Sequence, residues 1–338
     1  MLNFLMALSI IANTLVIQVT NGTNPQEQLK NLTVTVYGFD DQNNVKYSKS
    51  FKLKRDRIVL RNLNKNLFYQ AETDYKDVKY YSNAGKFEGD TLTLTLHVFD
   101  VTDKDKDIQL TNYHMVIFPN ENSQGYYIVE ALNLTNQGNE TFNAQYYVYF
   151  YLPQGTDSIT FIQPQNEEKW VVVGDTVFYN DVVYPGDQTI AFNYIAPGEK
   201  VNLYREFPKT LASAQIFTAP GIKIKSKLFK KEGEQNINGQ TYIVYRLKKP
   251  SDKFSISVER GSTTAKSNVQ IPVVIAVAIV VLVLIVLLRI NAVKKKGKIS
   301  TEAREQLEKL RKLLELKEEG LISKEEFNKS KKKICDKL

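Results

Sequence analysis

Ile271 to Leu288 is an unbroken run of eighteen uncharged, almost wholly apolar residues, and no other feature constrains the fold of this chain so tightly. A buried strand extends over about four to eight residues, too few to account for the run. A helix of roughly eighteen to twenty such residues crosses the hydrocarbon core of a bilayer, where every backbone amide must be satisfied within its own segment. Pro272 suits the first turn of that helix, where a missing N–H has no intrahelical partner to lose. Arg289, Lys294, Lys295, Lys296 and Lys298 crowd the C-terminal flank, against Arg260 and Lys266 before it. The more basic flank stays in the cytoplasm. The reading is a single-pass membrane protein with a transmembrane helix at 271–290, a large N-terminal part outside and a small tail inside.

A second apolar stretch, Leu2 to Val19, is interrupted by Asn3, Ser9, Asn13, Thr14 and Gln18. It reads as a secretory signal peptide or an N-terminal anchor over 1–22, with Thr20 and Gly22 as the small residues at a cleavage site, although no Lys or Arg precedes it.

Charge divides the same way. The chain carries a net charge of +8, and residues 289–338 hold a surplus of seven positive charges, so the rest is nearly neutral. Basic residues just inside a membrane set topology and touch anionic headgroups. Membrane lipid is therefore the expected partner of the tail, and nucleic acid is not. The single cysteine, Cys335, falls in that tail, so an exported part without cysteines must hold together by core size and not by disulfides.

Between Leu32 and Val258 the pattern is that of strands. Leu32, Val34 and Val36 alternate with Thr33, Thr35 and Tyr37, and a turn cluster at Asp40 to Asn44 leads into a second strand from Val45 to Leu53. Strand character recurs at Arg57–Leu63, Phe68–Tyr75, Val78–Tyr81 and Thr91–Phe99, with turns every eight to twelve residues or so, the rhythm of a β-sandwich. Residues 23–100 form the first such domain. Asp100 to Asp107 reads as a solvated linker: an EF-hand loop from Asp103 would need Gly and Glu where the chain has Ile108 and His114. A second sandwich spans 108–260, its strands including Ala144–Leu152 and Thr189–Tyr194, the latter bracketed by Pro185-Gly186-Asp187 and Ala196-Pro197-Gly198.

Tyr69, Ala71, Tyr75, Val78 and Tyr80 resemble the Tyr-x-Ala…Tyr…Val-x-Tyr pattern of small transthyretin-like or carboxypeptidase-regulatory-like β domains. The order of elements around Tyr151-Leu-Pro-Gln-Gly155 and Tyr184-Pro-Gly-Asp187 looks like that of membrane-anchored surface proteins of prokaryotes. The resemblance implies a fold and no activity.

Catalytic chemistry has little to work with. His97 and His114 are the only histidines, and both fall in strands, where packing or surface placement is the ordinary role. Glu130, Asp175 and Asp181 are the carboxylates available for glycoside chemistry, and nothing in their spacing pairs them. No cofactor or metal is expected. Tyr146, Tyr147, Tyr149 and Tyr151 give a strand with aromatic rings on both faces, which is either covered on both sides or open for binding. Asn21, Asn31, Asn133 and Asn139 begin Asn-x-Thr sequons on the exterior side, which makes Asn31, Asn133 and Asn139 candidate glycosylation sites; Asn328 lies inside.

In the tail, Leu307, Leu310, Leu313 and Leu314 fall at helical spacing, Gly320 stops that helix, and Ser323-Lys324-Glu325-Glu326 caps a second one carrying Phe327 and Ile334. The result is a small helical hairpin at 301–338. The run Leu310-x-x-Leu313-Leu314…Gly320-Leu321-Ile322-Ser323-Lys324-Glu325-Glu326-Phe327…Ile334 closely resembles the short C-terminal domain known as SHOCT. That resemblance implies oligomerisation or partner contact, which at this size would bury Leu307, Leu310, Leu314, Ile322 and Phe327 where the hairpin itself cannot.

The expected fold class is thus mainly β: two extracytoplasmic β-sandwich domains, one transmembrane helix and a small cytoplasmic helical hairpin. The expected function is a cell-surface binding or interaction protein without catalysis, its tail mediating self-association or partner binding. The alternatives are an accessory subunit of a membrane complex in secretion, assembly or cytochrome maturation, and a polymer-degrading surface enzyme.

Overall fold

Alternation of apolar and polar side chains over most of the chain dictates strands, and strands are what form. The computed structural model describes residues 13–120, 125–237 and 239–261. These all fall in one compact unit that extends to Lys266; the second unit, from Ser267, lies outside the described residues.

The first body holds β1 (Thr14–Asn21), β2 (Thr33–Phe39), β3 (Val45–Lys52), β4 (Arg57–Arg61), β5 (Phe68–Tyr75), β6 (Val78–Tyr81), β7 (Gly85–Lys86) and β8 (Thr91–Val98). One sheet has the order β4-β1-β8 and the other β3-β2-β5-β6, with β7 beside β5. Leu15, Ile17, Val34, Val36, Tyr69, Ala71, Leu96 and Val98 are fully buried in the core these sheets share. β9 (Val101–Thr102) and a 3-10 turn at Asp105–Asp107 lead on to β10 (Ile108–Pro119), β11 (Gly125–Asn136) and β12 (Thr141–Asn143). Then come β13 (Tyr149–Tyr151), β14 (Asp157–Gln163), β15 (Trp170–Val173), β16 (Thr176–Tyr179) and β17 (Val182–Val183). The long strands β18 (Gly186–Pro197) and β19 (Lys200–Leu211) are followed by β20 (Ser213–Thr218), β21 (Ile222–Lys225), β22 (Phe229–Ile237), β23 (Gln240–Leu247) and β24 (Ser251–Arg260).

A seven-stranded sheet, β14-β18-β11-β10-β20-β23-β22, shares a second core with two three-stranded sheets, β13-β16-β15 and β19-β24-β21. The two bodies are tied by the small sheet β17-β12-β9 and by side chains. Thr23 Oγ1 donates to the Asn139 carbonyl at 2.5 Å, Tyr80 and Thr141 hydroxyls meet at 3.0 Å, and Tyr184 Oη donates to the Lys79 carbonyl at 2.8 Å. Within the stretch 100–107, Val101–Thr102 is strand and pairs with β12, while Asp103, Lys104 and Lys106 are exposed as a solvated linker would have them. Asp105 accepts from Tyr147 Oη at 2.8 Å and Asp100 from Tyr75 Oη at 3.0 Å.

The expected fold class requires correction. The described residues are mainly β, with no helix long and apolar enough to cross a membrane and no helical hairpin among them. The transmembrane segment at 271–290 and the hairpin at 301–338 fall outside the described residues, as do Leu307, Leu310, Leu314, Ile322 and Phe327.

Two further departures have clear physical reasons. Residues 14–21, expected as the end of a leader, form β1, which sits between β4 and β8 with Leu15, Ile17 and Val19 in the core. Cleavage at Thr20–Gly22 would remove the central strand of a three-stranded sheet. A chain started at Thr23 is expected to fail to fold, and one started at Asn13 to keep its far-ultraviolet β signal; circular dichroism of the two tests this. The second departure is at Ala144–Leu152, where only Tyr149–Tyr151 is strand. Asn143 Oδ1 accepts from the Gln145 amide and Tyr146 takes a φ of 60°, so the chain turns there to reach the next sheet.

Candidate functional site: an aromatic face over a buried ion pair

Period-two alternation points Val201, Leu203, Arg205 and Phe207 of β19 into the core, and likewise Tyr126, Ile128, Glu130, Leu132 and Leu134 of β11. Each stripe thus has one charged residue at a core position. Arg205 and Glu130 are both 0% exposed and face each other. Arg205 Nε donates to Glu130 Oε2 at 2.7 Å, and Nη2 donates to Glu130 Oε1 and, at 2.8 Å, to Tyr194 Oη. Tyr194 Oη and Tyr113 Oη donate to the same carboxylate at 2.6 and 2.5 Å. Burial and the Glu130 charge hold both phenols well above the usual tyrosine range, so they remain donors. Burial opposes the charge on Arg205 most strongly, but Glu130, Tyr194 and Tyr113 together outweigh it and hold the guanidinium pKa above its ordinary value.

The remaining donors of Arg205 reach the surface layer. Nη1 donates to the Tyr151 carbonyl at 2.5 Å and to the Tyr204 carbonyl at 2.6 Å. Those two residues carry the exposed end of an aromatic strip. Tyr151 and Tyr204 stack with centroids 6.0 Å apart and planes 26° from parallel. Tyr149 meets Tyr151 edge-on at 5.3 Å, Phe178 at 5.9 Å, and Phe178 meets Tyr146 at 5.7 Å. The register explains the outward face: Tyr149 pairs with Phe178 and Tyr151 with Thr176, while Phe150 and Val177 between them point inward. Tyr146, Tyr151 and Tyr204 are 53%, 41% and 39% exposed, and Val173, across Thr176 from Tyr151, extends the apolar border. Such rings offer large, rigid contact area at low side-chain entropy cost.

The residues singled out for chemistry are not brought together. Glu130 is spent on Arg205, Asp181 pairs with Lys169 at 2.5 Å, and Asp175 is exposed in the β15–β16 turn. His97 lies on β8 with its Nδ1 2.8 Å from Thr20 Oγ1. His114 is buried beside Phe217 with neither ring nitrogen hydrogen-bonded. Among the described residues no group of His, Cys, Asp and Glu is placed to hold a metal. Of the sequon residues, Asn31 is exposed, and Asn139 is exposed with its amide donating to the Thr23 carbonyl at 3.3 Å. Asn133 sits in mid-sheet, accepting from Thr189 at 2.8 Å, and Asn21 is buried, with its amide donating to Glu27 at 2.7 Å.

The tyrosine cluster drew attention in the sequence; Phe178, Tyr204 and the anchoring Arg205 did not. A signal for Arg205 exists, a charge on the inward register of an otherwise apolar stripe.

No family model matches the chain, and no curated protein matches it. Among solved structures, that of an M1 zinc metallopeptidase from Deinococcus radiodurans shows slight similarity: 11% identity, 45% of this chain and 42% of that one covered, TM-score 0.29. A score that low carries no argument about fold or chemistry.

Proposed function

We propose that this is a non-catalytic binding protein held at a membrane, with its β bodies outside and its aromatic face docking a partner. The observation that carries the reading is the exposed strip through Tyr149, Tyr151 and Tyr204, whose backbone is fastened from below by Arg205. Exposed, rigidly supported aromatic clusters are what dominate binding energy in interfaces. Support for the location is the apolar run 271–288 with its basic flank, and for a clustering or partner-binding tail the SHOCT-like run.

The test is purification of the full chain in mild detergent, with crosslinking and mass spectrometry of what accompanies it. Tyr151→Ala/Tyr204→Ala is expected to lower partner recovery by about tenfold or more, since two hot-spot rings together supply well over 1.4 kcal/mol. Both rings are substantially exposed, so the fold should survive. Undiminished recovery with the double variant would move the docking surface elsewhere.

A further inference from the structure

Each open sheet leaves edge strands whose unpaired amides invite another chain, and proteins blunt them with charge, proline, bulges or brevity. Most edges here are blunted. β3 carries Lys46, Lys49 and Lys52, β4 carries Arg57 and Arg61, and β21 carries Lys223 and Lys225. β14 and β22 are broken by register shifts, and β15 is four residues long. β8 has none of these devices. Its eight residues, Thr-Leu-Thr-Leu-Thr-Leu-His-Val, contain no Lys, Arg, Asp, Glu or Pro, and it pairs with β1 in unbroken parallel register from Thr14↔Thr91 to Asn21↔Val98.

The direction of its free groups follows from the ladder. Thr14 N donates to the Asp90 carbonyl at 2.7 Å and Gly22 N to the Val98 carbonyl at 2.8 Å, so the even-numbered residues 90 to 98 aim their backbone groups at β1. Thr91, Thr93, Thr95 and His97 therefore aim theirs the other way, and no described strand pairs with that side. Along it runs a groove of about 570 Å³ whose lining includes Tyr80, Tyr81, Leu92, Thr95, His97 and Phe99. No Lys, Arg, Asp or Glu is among the residues that line it.

We propose that β8 accepts an extended, uncharged polypeptide segment of another protein as an added strand. Its main chain would pair with Thr91, Thr93, Thr95 and His97, and its alternate apolar side chains would enter the groove. A row of alternating donors and acceptors at strand spacing is complementary to an extended peptide, and a groove lined by no Lys, Arg, Asp or Glu favours an uncharged one. An edge of this length takes a segment of about eight residues, roughly 26 Å. The edge strand belongs to the first body, Tyr184 of the second also lines the groove, and none of the aromatic-face residues does.

The probe is a phage-displayed library of random peptides of about twelve residues, panned on the full-length protein in detergent micelles. Hydrogen exchange is then followed with the best binder added. The expected result is enrichment of uncharged, alternating sequences and slowed exchange at the amides of Thr91, Thr93, Thr95 and His97. Thr93→Pro removes one outward amide while leaving the β1 ladder alone, and Thr95→Lys puts a charge on the edge. Each should weaken binding about tenfold or more, the weight of one lost main-chain bond with its neighbours disturbed. Failure to enrich, binding indifferent to both variants, or protection at another edge overturns the proposal. So does protection of the same four amides in the protein without peptide, which would assign the edge to a second copy of this chain.

Discussion

Arg205→Met should lower the stability of the β unit by about 3–5 kcal/mol, because it strands the Glu130 carboxylate in a core that offers no other cation. The size of the loss comes from the geometry. Glu130 accepts from Arg205, Tyr113 and Tyr194, and removing the guanidinium leaves only two phenols around a charge fully removed from water. For a unit of this size the melting temperature should fall by roughly 6–20 °C. Replacing both partners, Arg205→Met with Glu130→Leu, should recover most of the loss, since a buried ion pair is worth little net of its desolvation. Guanidinium unfolding of the full chain and the two variants, followed by tryptophan fluorescence, measures this. Trp170, the only tryptophan, is packed against Tyr179 and Phe192 and so reports on this core. A single variant as stable as the parent would remove the ion pair from any account of what holds the aromatic face.

The double variant separates two roles. If stability returns but partner recovery does not, the contribution of Arg205 is to place the Tyr151 and Tyr204 carbonyls, and through them the rings. No apolar replacement can make those two hydrogen bonds. A charged residue retained at a core position is then explained by what it fastens and not by what it adds to stability.

How much of this was legible in the sequence depended on whether the informative contact was local. The alternation in Thr33–Phe39, Phe68–Tyr75 and Thr91–Val98 encodes burial residue by residue, and these strands fall where the pattern puts them. β1 was hidden because Leu15, Ile17 and Val19 continue an apolar run that looks like a leader. Only its pairing with residues 57–61 and 91–98 shows that this end is strand. The turn at Asn143 and Tyr146 cut the expected strand Ala144–Leu152 down to Tyr149–Tyr151, where the alternation holds, since a positive φ leaves no mark in hydropathy. The aromatic face joins Phe178 and Tyr204 to Tyr149 and Tyr151 across 25 to 55 residues or so of chain, Phe178 by strand register and Tyr204 by the packing of β19 beside β13, a strand of another sheet.

The second large effect is set by pH and resides in His114. The ring is about 5% exposed, lies against Phe217, and has neither nitrogen hydrogen-bonded. Its cross-strand partners, Ala131 on β11 and Gln215 on β20, carry no charge that could stabilise an imidazolium. Burial therefore pushes its pKa down from 6.5 to about 4. Above about pH 6.5 the ring is neutral in both folded and unfolded chains and exerts no pH effect. As pH falls toward 4 the unfolded chain takes up a proton that the folded one refuses, so stability drops, by roughly 3 kcal/mol once pH is below the folded value. Other groups titrate in the same window, and His114→Leu isolates this one. Between pH 7 and pH 4.5 the parent should lose about 2–3 kcal/mol more than the variant does. At pH 7 the leucine should be neutral or mildly stabilising, because it replaces a buried polar ring that satisfies neither of its nitrogens. Denaturant unfolding of both proteins at the two pH values decides it. Equal losses would mean that the ring reaches water or a partner as pH falls, and that the sheet face around Phe217 opens to let it.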